Sequence, residues 1–170
     1  SGSILDFTMY HYDSTDYTVR DIDDNEYAVC TTYWKPLSVT ITDMDGDVRA
    51  TVTGDGQKIG AGFPFTLDGE EYGTMYRRTA ESFDEFYIDT PDGLFTARAF
   101  RAVEDGQVSC NYRVKLDGVD KAIIIGSKKV EFDTVGYVEN DIVCSFDDEH
   151  LLFYITMLDA IMGINHFTRH

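Results

Sequence analysis

Basic side chains that could bind an anion occur in three small clusters along an otherwise acidic chain. Guanidinium and ammonium groups bind phosphate and carboxylate through charge-assisted hydrogen bonds, so the clusters are candidates for contact with an anionic headgroup. The residues are Arg77 with Arg78, Arg98 with Arg101, and Lys128 with Lys129. Arg77 and Arg78 are adjacent in a predicted strand, so only one of them can face a given site. The alternative role of all these residues is to balance the charge of the acidic surface.

Asp159 is the most unusual acidic residue, because it lies in the middle of an apolar segment that is predicted to be a helix. An unpaired carboxylate would be costly in such a position. One interpretation places Asp159 near the mouth of the fold, where it accepts hydrogen bonds from strand backbone or from an arginine. The other interpretation is a ligand or proton site at that mouth.

Metal-binding and catalytic residue types show no spacing typical of a known site. Residues 43–47, DMDGD, resemble a calcium loop, but their glycine is fourth rather than sixth and their flanks are predicted strands, which favours a hairpin turn. His166 and His170 are spaced for a metal pair near the terminus or are exposed tail residues. The remaining histidines are His11 and His150. The sequence holds no nucleophile elbow, P-loop or GxGxxG motif. We therefore expect no enzymatic activity, and no catalytic, cofactor-binding or metal-binding residues.

The three cysteines indicate a reducing compartment. Cys30, Cys110 and Cys144 are widely spaced in apolar, strand-like surroundings, which predicts buried free thiols. One disulfide with a spare thiol is the alternative. The start of the chain, Ser1-Gly2-Ser3, has no features of a signal peptide and reads as a remnant of cloning. These observations together predict a cytoplasmic protein.

Composition limits the class of partner. The 170 residues are 43% hydrophobic, enough to build one domain over residues 1–170. The formal net charge is −17, from 14 basic and 31 acidic residues. Nucleic-acid binding requires clustered Lys and Arg. We therefore expect that a protein of this net charge does not bind nucleic acid. An anionic membrane surface is disfavoured for the same reason unless a local basic patch exists.

Paired segments of the chain predict a run of antiparallel hairpins. Residues 17–30 (YTVRDIDDNEYAVC) and 39–52 (VTITDMDGDVRATV) each read as a strand, an Asp-rich turn and a second strand. Weaker copies have turns at Asp68-Gly69, Asp92-Gly93 and Asp117-Gly118. We predict about twelve strands, approximately at 4–12, 16–21, 26–32, 37–43, 47–53, 63–67, 70–77, 83–88, 94–101, 108–116, 119–126 and 130–138, with a short one at 141–146. Alternating polar and apolar residues within them are typical of a barrel or sandwich wall.

The last long segment, residues 149–165, reads as a helix that is apolar on nearly every side: EHLLFYITMLDAIMGIN. Such a helix is buried all round or lies in a membrane. Its apolar run is interrupted by Asp159 and is shorter than the roughly 20 residues of a membrane span, so we predict a core helix and no transmembrane segment. Ser145 or Asp147 is the predicted N-cap. The pattern favours a mainly β fold in which a closed barrel surrounds this helix.

Residues 17–30, 39–52 and 133–162 also carry a resemblance to a known family. The last range, DTVGYVENDIVCSFDDEHLLFYITMLDAIM, is similar to the closing strands and central helix of the LURF-one-related family, in the tubby C-terminal-like superfamily with the phospholipid scramblases. The resemblance implies a closed antiparallel barrel of about twelve strands around a C-terminal helix. It implies little chemistry, because LURF-one-related proteins are largely without an assigned activity. The tubby branch binds phosphoinositides through basic residues of the barrel wall, and no matching basic motif aligns here.

Three functional hypotheses follow. The first is a non-enzymatic binding or scaffolding domain with an unidentified protein partner. The second, by analogy with the superfamily, is a peripheral binder of anionic phospholipid or phosphoinositide. The third is a small-molecule enzyme with a site at the barrel mouth. None of the three involves a cofactor or nucleic acid.

Overall fold

The fold was analysed in a computed structural model of the 170-residue chain. The structure describes the backbone of residues 4–10, 14–34, 36–55, 58, 60–80, 83–104, 107–130 and 137–168. Side chains are described within residues 18–33, 36–55, 58, 60–79, 84–100, 111–125 and 142–165.

The protein is mainly β, as the sequence predicts, with one helix after the strands. The strands are β1 (Ile4–Tyr10), β2 (Ser14–Asp21), β3 (Glu26–Trp34), β4 (Leu37–Asp43), β5 (Val48–Gly54), β6 (Phe63–Leu67), β7 (Glu70–Ala80), β8 (Phe83–Thr90), β9 (Gly93–Glu104), β10 (Gln107–Leu116), β11 (Val119–Val130) and β12 (Tyr137–Ser145), and the helix is α1 (Leu151–Thr168). Eleven strands, β2 to β12, form one antiparallel sheet in which each strand pairs with the next along the chain. Every tight turn from an even-numbered strand to the following odd-numbered strand therefore lies along the same edge of the sheet.

Predicted boundaries near the end of the sheet and at the start of the helix differ from those of the structure. β11 continues to Val130, and the predicted short strand 141–146 lies within the longer β12. Most of the predicted strand 130–138 falls on residues 131–136, which lie outside the described residues. The helix begins at Leu151, and neither predicted cap serves its first turn. Asp147 Oδ1 instead accepts the backbone N–H of Glu149 at 3.3 Å, and the hydroxyl of Ser145 donates to Asp148 at 3.4 Å. Both side chains thus stabilise the turn that precedes the helix.

The turn between β2 and β3 is held by a single carboxylate. Asp21 Oδ1 accepts the backbone N–H groups of Asp23 and Asn25, each at 2.9 Å. These hydrogen bonds hold the pKa of Asp21 below its usual value, the backbone N–H of Asn25 contributing most. Asp24 has a φ of +67°, a conformation that Asp tolerates better than most residues.

The turn between β4 and β5 repeats this arrangement. Asp43 Oδ1 accepts the N–H groups of Asp45 and Asp47, each at 3.0 Å, and Gly46 takes the positive φ, +89°. The internal repeat predicted from the sequence is therefore present in the turn geometry. The carboxylate that resembled a calcium ligand is engaged by the backbone of its own turn, so the hairpin interpretation of residues 43–47 is confirmed.

The helix lies against the apolar face of the sheet, and its described side chains are almost all buried. Residues 151–165 are buried apart from the half-buried Leu152. The ring of Phe153 lies 5.6 Å from that of Phe65 in β6, 5.3 Å from Tyr72 in β7 and 4.5 Å from Phe95 in β9. The helix also contacts β3, β4, β5, β11 and β12. Among the described residues, no helix combines the length and apolarity needed to span a membrane.

Candidate functional sites

A row of charged residues crosses four neighbouring strands on the outer face of the sheet. The pairing register places Arg78 of β7 opposite Glu85 of β8, Glu85 opposite Arg98 of β9, and Arg98 opposite Arg113 of β10. We call these four residues the arginine row. Because like charges directly opposite each other destabilise a sheet, the Arg98–Arg113 pair is an unfavourable choice for stability alone.

Glu85 is the buried centre of the arginine row, with an exposed fraction of only 5%. Arg98 Nε donates to Glu85 Oε2 at 3.0 Å, and Arg78 donates to the other carboxylate oxygen. Burial alone would raise the pKa of Glu85, but the hydrogen bonds from both arginines outweigh it and hold this pKa below its usual value. The same contact raises the pKa of Arg78. The carboxylate therefore stays ionised and fixes two guanidinium groups in place.

A groove of about 490 Å³ adjoins the arginine row. Its lining residues are Glu85, Thr96, Arg98, Ala99, Phe100, Arg113 and Lys115. The guanidinium of Arg113 lies 5.8 Å from the centre of the Phe100 ring, and Phe100 is 39% exposed. Lys115 Nζ lies 4.0 Å from a carboxylate oxygen of Asp120. Three cationic groups, one exposed aromatic ring and a single acidic side chain thus line the same groove.

Aromatic side chains extend this surface toward β7. Tyr76 and Tyr87 stack with their ring centres 5.8 Å apart, and the guanidinium of Arg78 lies 4.7 Å from the centre of the Tyr87 ring. Cation–π contacts of this kind restrict the arginine without neutralising its charge. The outer face of β7 to β10 therefore combines positive charge with flat apolar surface.

The sequence candidates for anion binding separate into three groups in the structure. Arg78 and Arg98 meet at Glu85, whereas Arg77 lies on the opposite face of β7 and binds Asp84 through two hydrogen bonds of 2.9 and 2.8 Å. The side chains of Arg101, Lys128 and Lys129 lie outside the described residues. Sequence reasoning missed Arg113 and Lys115, although their alternation in β10 places both on the polar face.

Arg77 belongs to a chain of polar contacts on the inner face. The Asp84 carboxylate that it binds also accepts a hydrogen bond from the hydroxyl of Tyr112 at 3.1 Å. That hydroxyl accepts a hydrogen bond from Asn165 Nδ2 of α1 at 2.9 Å. The contacts join β7, β8 and β10 to the second half of the helix, which is a structural role.

Asp159 is 1% exposed, and its carboxylate accepts a 2.6 Å hydrogen bond from the hydroxyl of Thr32 in β3. We predicted strand backbone or an arginine as a donor to this carboxylate, and Thr32 supplies a strand side chain as one donor. Thr32 lies two residues before the end of β3, close to the edge of the sheet.

A second polar cluster lies where β12 leads into α1. The carboxylate oxygens of Asp147 and Glu149 and a ring nitrogen of His150 all lie within 4.8 Å of one another. His150 Nε2 faces the carboxylate of Asp92 at 3.5 Å, so we call these four residues the helix-start cluster. Lys121 Nζ lies 3.1 Å from Asp147 Oδ2, so a positive charge also contacts this cluster.

Two buried polar atoms lie beside the helix-start cluster. Within the described part of the chain, His150 Nδ1 and the hydroxyl of Tyr154 have no hydrogen-bond partner. Burial, followed by the negative charge of Asp147, raises the pKa of Tyr154. Burial and the 2.6 Å hydrogen bond to Asp92 likewise raise the pKa of Tyr72.

The remaining sequence candidates are the cysteines and the other histidines. The side chain of Cys30 is buried and that of Cys144 is half-buried, while the side chain of Cys110 lies outside the described residues. Burial raises the pKa of Cys144, which disfavours the reactive thiolate. The side chains of His11, His166 and His170 also lie outside the described residues.

Comparisons of the chain with family models, curated proteins and solved structures gave no match. Assignment of a function therefore depends on the geometry of the two clusters.

Proposed function

We propose that the protein is a non-enzymatic binding domain, and that its ligand carries a phosphate group that docks in the groove beside the arginine row. The observation that carries this proposal is that Arg98, Arg113 and Lys115 line one groove together with Phe100, in a chain of net charge −17. Arginine side chains bind phosphate with two parallel hydrogen bonds, and lysine supplies a point charge.

The arginine row is suited to binding because two of its arginine side chains are already ordered before a ligand binds. Glu85 holds Arg78 and Arg98 by hydrogen bonds, so fewer side-chain rotations are lost on complex formation. A ligand phosphate between Arg98 and Arg113 would also relieve the repulsion between these directly opposed guanidinium groups. The groove volume falls within the range of about 300–1,000 Å³ that ligand pockets occupy.

A soluble phosphate ester and the headgroup of a phosphoinositide share this chemistry. The resemblance to the tubby superfamily favours the headgroup, whereas the overall negative charge opposes approach to an anionic bilayer. Two probes separate these sources. Calorimetric titration with inositol trisphosphate measures the soluble interaction, and sedimentation with phosphatidylcholine vesicles containing phosphatidylinositol bisphosphate measures the membrane interaction.

The decisive variant is the double substitution Arg113→Glu with Lys115→Glu. The matched control is Arg20→Glu with Lys58→Glu, which changes net charge equally at positions away from β8 to β10. We expect the groove variant to bind inositol trisphosphate at least tenfold more weakly than the control, since each lost charge-assisted hydrogen bond costs about 1.5–3 kcal/mol. Equal affinity of the two variants, or no binding by the unaltered protein, would overturn the proposal.

Glu85→Gln tests the same groove with a substitution that should increase the affinity for phosphate. Loss of the central negative charge leaves Arg78 and Arg98 without their shared counter-ion, so inositol trisphosphate should bind several-fold more tightly. Weaker binding in this variant would show that Glu85 positions the arginines more than it competes for them.

We also propose that the sheet closes into a barrel around α1, the architecture implied by the resemblance to the LURF-one-related family. Support comes from β1, which pairs with β12 from Ile4↔Cys144 to Tyr10↔Val138 and with β2 from Leu5↔Asp21 to Phe7↔Val19. Full burial of the helix is a second support, because an open sheet would leave one helix face in water. Hydrogen exchange tests closure. Amides of β1 should be protected as strongly as those of β7, and rapid exchange throughout β1 would contradict a closed sheet.

A further inference from the structure

We propose that the helix-start cluster binds a divalent metal ion of the zinc class through Asp147, Glu149 and His150. This inference is independent of the anion-binding groove, which lies on the outer face of β7 to β10. Tetrahedral zinc sites in proteins use the imidazole nitrogens and carboxylate oxygens that these residues supply, and a fourth position is often taken by water.

The spacing of the donor atoms suits a site that closes on its ion. The three atoms lie within 4.8 Å of one another, whereas zinc bonds of about 2.0–2.1 Å bring neighbouring ligand atoms to about 3.3 Å. Asp147 and Glu149 belong to the turn before α1, and Glu149 is exposed. Rotation of these two side chains can therefore complete the site without movement of the sheet.

His150 is the anchor of the proposed site. Its side chain is only 10% exposed, its Nε2 faces Asp92, and its buried Nδ1 has no hydrogen-bond partner among the described residues. Metal-binding histidines commonly present one ring nitrogen to the ion while a carboxylate orients the ring through the other. Because Nε2 faces Asp92 and Nδ1 has no described partner, the proposed site uses Nδ1 as the metal ligand and Asp92 as a positioning residue.

Tyr154 provides an independent observation. Its side chain is fully buried one helical turn after His150, and its hydroxyl has no hydrogen-bond partner within the described ranges. A buried hydroxyl without a partner is costly, and a native structure normally satisfies it. A carboxylate or water drawn in by the ion would accept a hydrogen bond from this hydroxyl.

The charge and type of the donors favour zinc over calcium or magnesium. Asp92, Asp147 and Glu149 face one described cation, Lys121, so the cluster has a surplus of negative charge. Calcium and magnesium prefer sites built entirely from oxygen, whereas an imidazole nitrogen among carboxylates suits zinc.

Calorimetric titration of the chelator-treated full chain with zinc chloride tests the proposal, with calcium chloride as the comparison ion. We expect one tight zinc site, and at least tenfold weaker zinc binding by Glu149→Gln. The matched control is Glu70→Gln, another exposed acid at the same edge of the sheet, which should retain the affinity of the unaltered protein. Lys121→Met should bind zinc more tightly, because it removes a cation that competes for Asp147.

Three results would overturn the proposal: no zinc binding, equal zinc affinity in Glu149→Gln and Glu70→Gln, or calcium binding as tight as zinc binding. Glu149→Gln is the main test variant, because replacing His150 would also disturb the fold. The ring of His150 packs against that of Phe95, with ring centres 5.4 Å apart. Asp92→Asn measures the positioning role. It should lower zinc affinity by about 10- to 100-fold without changing the stoichiometry.

Discussion

The hydroxyl of Thr32 and the carboxylate of Asp159 form a 2.6 Å hydrogen bond between residues 127 positions apart in the chain. It joins β3 to the middle of α1 and gives the carboxylate a donor in an otherwise apolar helix. Because Thr32 is fixed in β3, the contact also favours one rotation of the helix about its own axis. The acidic residue therefore contributes specificity to a core whose remaining contacts are largely non-directional.

Thr32→Val should lower the free energy of unfolding by about 1.5–3 kcal/mol, because it preserves side-chain volume but leaves a buried carboxylate without this donor. Urea denaturation followed by circular dichroism measures the change. Thr53→Val, at an exposed position of β5, is the matched control and should stay within about 0.5 kcal/mol of the unaltered protein. Equal stability of the two variants would mean that the hydrogen bond does not stabilise the fold.

Leu158→Ala should destabilise the protein by about 2–5 kcal/mol, since Leu158 is fully buried in α1 and its truncation leaves a cavity. Thermal and urea unfolding both report this loss. Leu94→Ala makes the same chemical change at a residue that is 41% exposed, and its cost should be well under half as large. A cost for Leu158→Ala no greater than that of Leu94→Ala would contradict the burial of the helix.

Glu85 should make stability depend on pH in the acidic range. Its pKa in the folded protein lies below the ordinary value of 4.5, so its stabilising contribution is complete above that value and is lost as the pH falls through the lower, folded pKa. Urea midpoints between about pH 6 and about pH 3 should therefore fall less steeply for Glu85→Gln than for the unaltered protein. The control is Glu71→Gln, which changes an exposed acid. An identical fall of the urea midpoint in all three proteins would show that Glu85 does not cause the pH dependence.

Tyr112→Phe should lower the free energy of unfolding by about 1–3 kcal/mol, because it removes one hydroxyl that serves both Asp84 and Asn165. Tyr87→Phe changes a half-buried tyrosine of the outer face and serves as the control. If the polar chain anchors the helix, hydrogen exchange in the second half of α1 should also accelerate in Tyr112→Phe. Unchanged exchange there would restrict the hydroxyl to a role within the sheet.

The turns were the part of the fold most accessible to prediction, because their chemistry is local. Asp68-Gly69 and Asp117-Gly118 both take positive φ at both positions, as two-residue hairpin turns require. The end of β11 was predicted too early and the start of β12 was misplaced, because no strong turn signal marks either position. The start of α1 shifted because acidic residues before a helix can stabilise either its cap or the preceding turn.

The candidate sites depended on information that a sequence pattern does not contain. Arg113 lies opposite Arg98 only through the register of β9 and β10, and local alternation reveals the face of each residue but not its cross-strand neighbour. His150 was assessed against the other histidines rather than against Asp147 and Glu149, which precede it in the same turn. Its contact with Asp92 arises from the tertiary fold.

The position of α1 after every strand that it contacts affects how the protein is made. A ribosome adds about 5–20 residues per second and completes all of the strands before the helix. Until residues 151–165 emerge, the apolar inner face of the nascent sheet has nothing to cover it. The growing chain therefore exposes its core-forming residues to chaperones and to neighbouring nascent chains until the end of this segment has been synthesised.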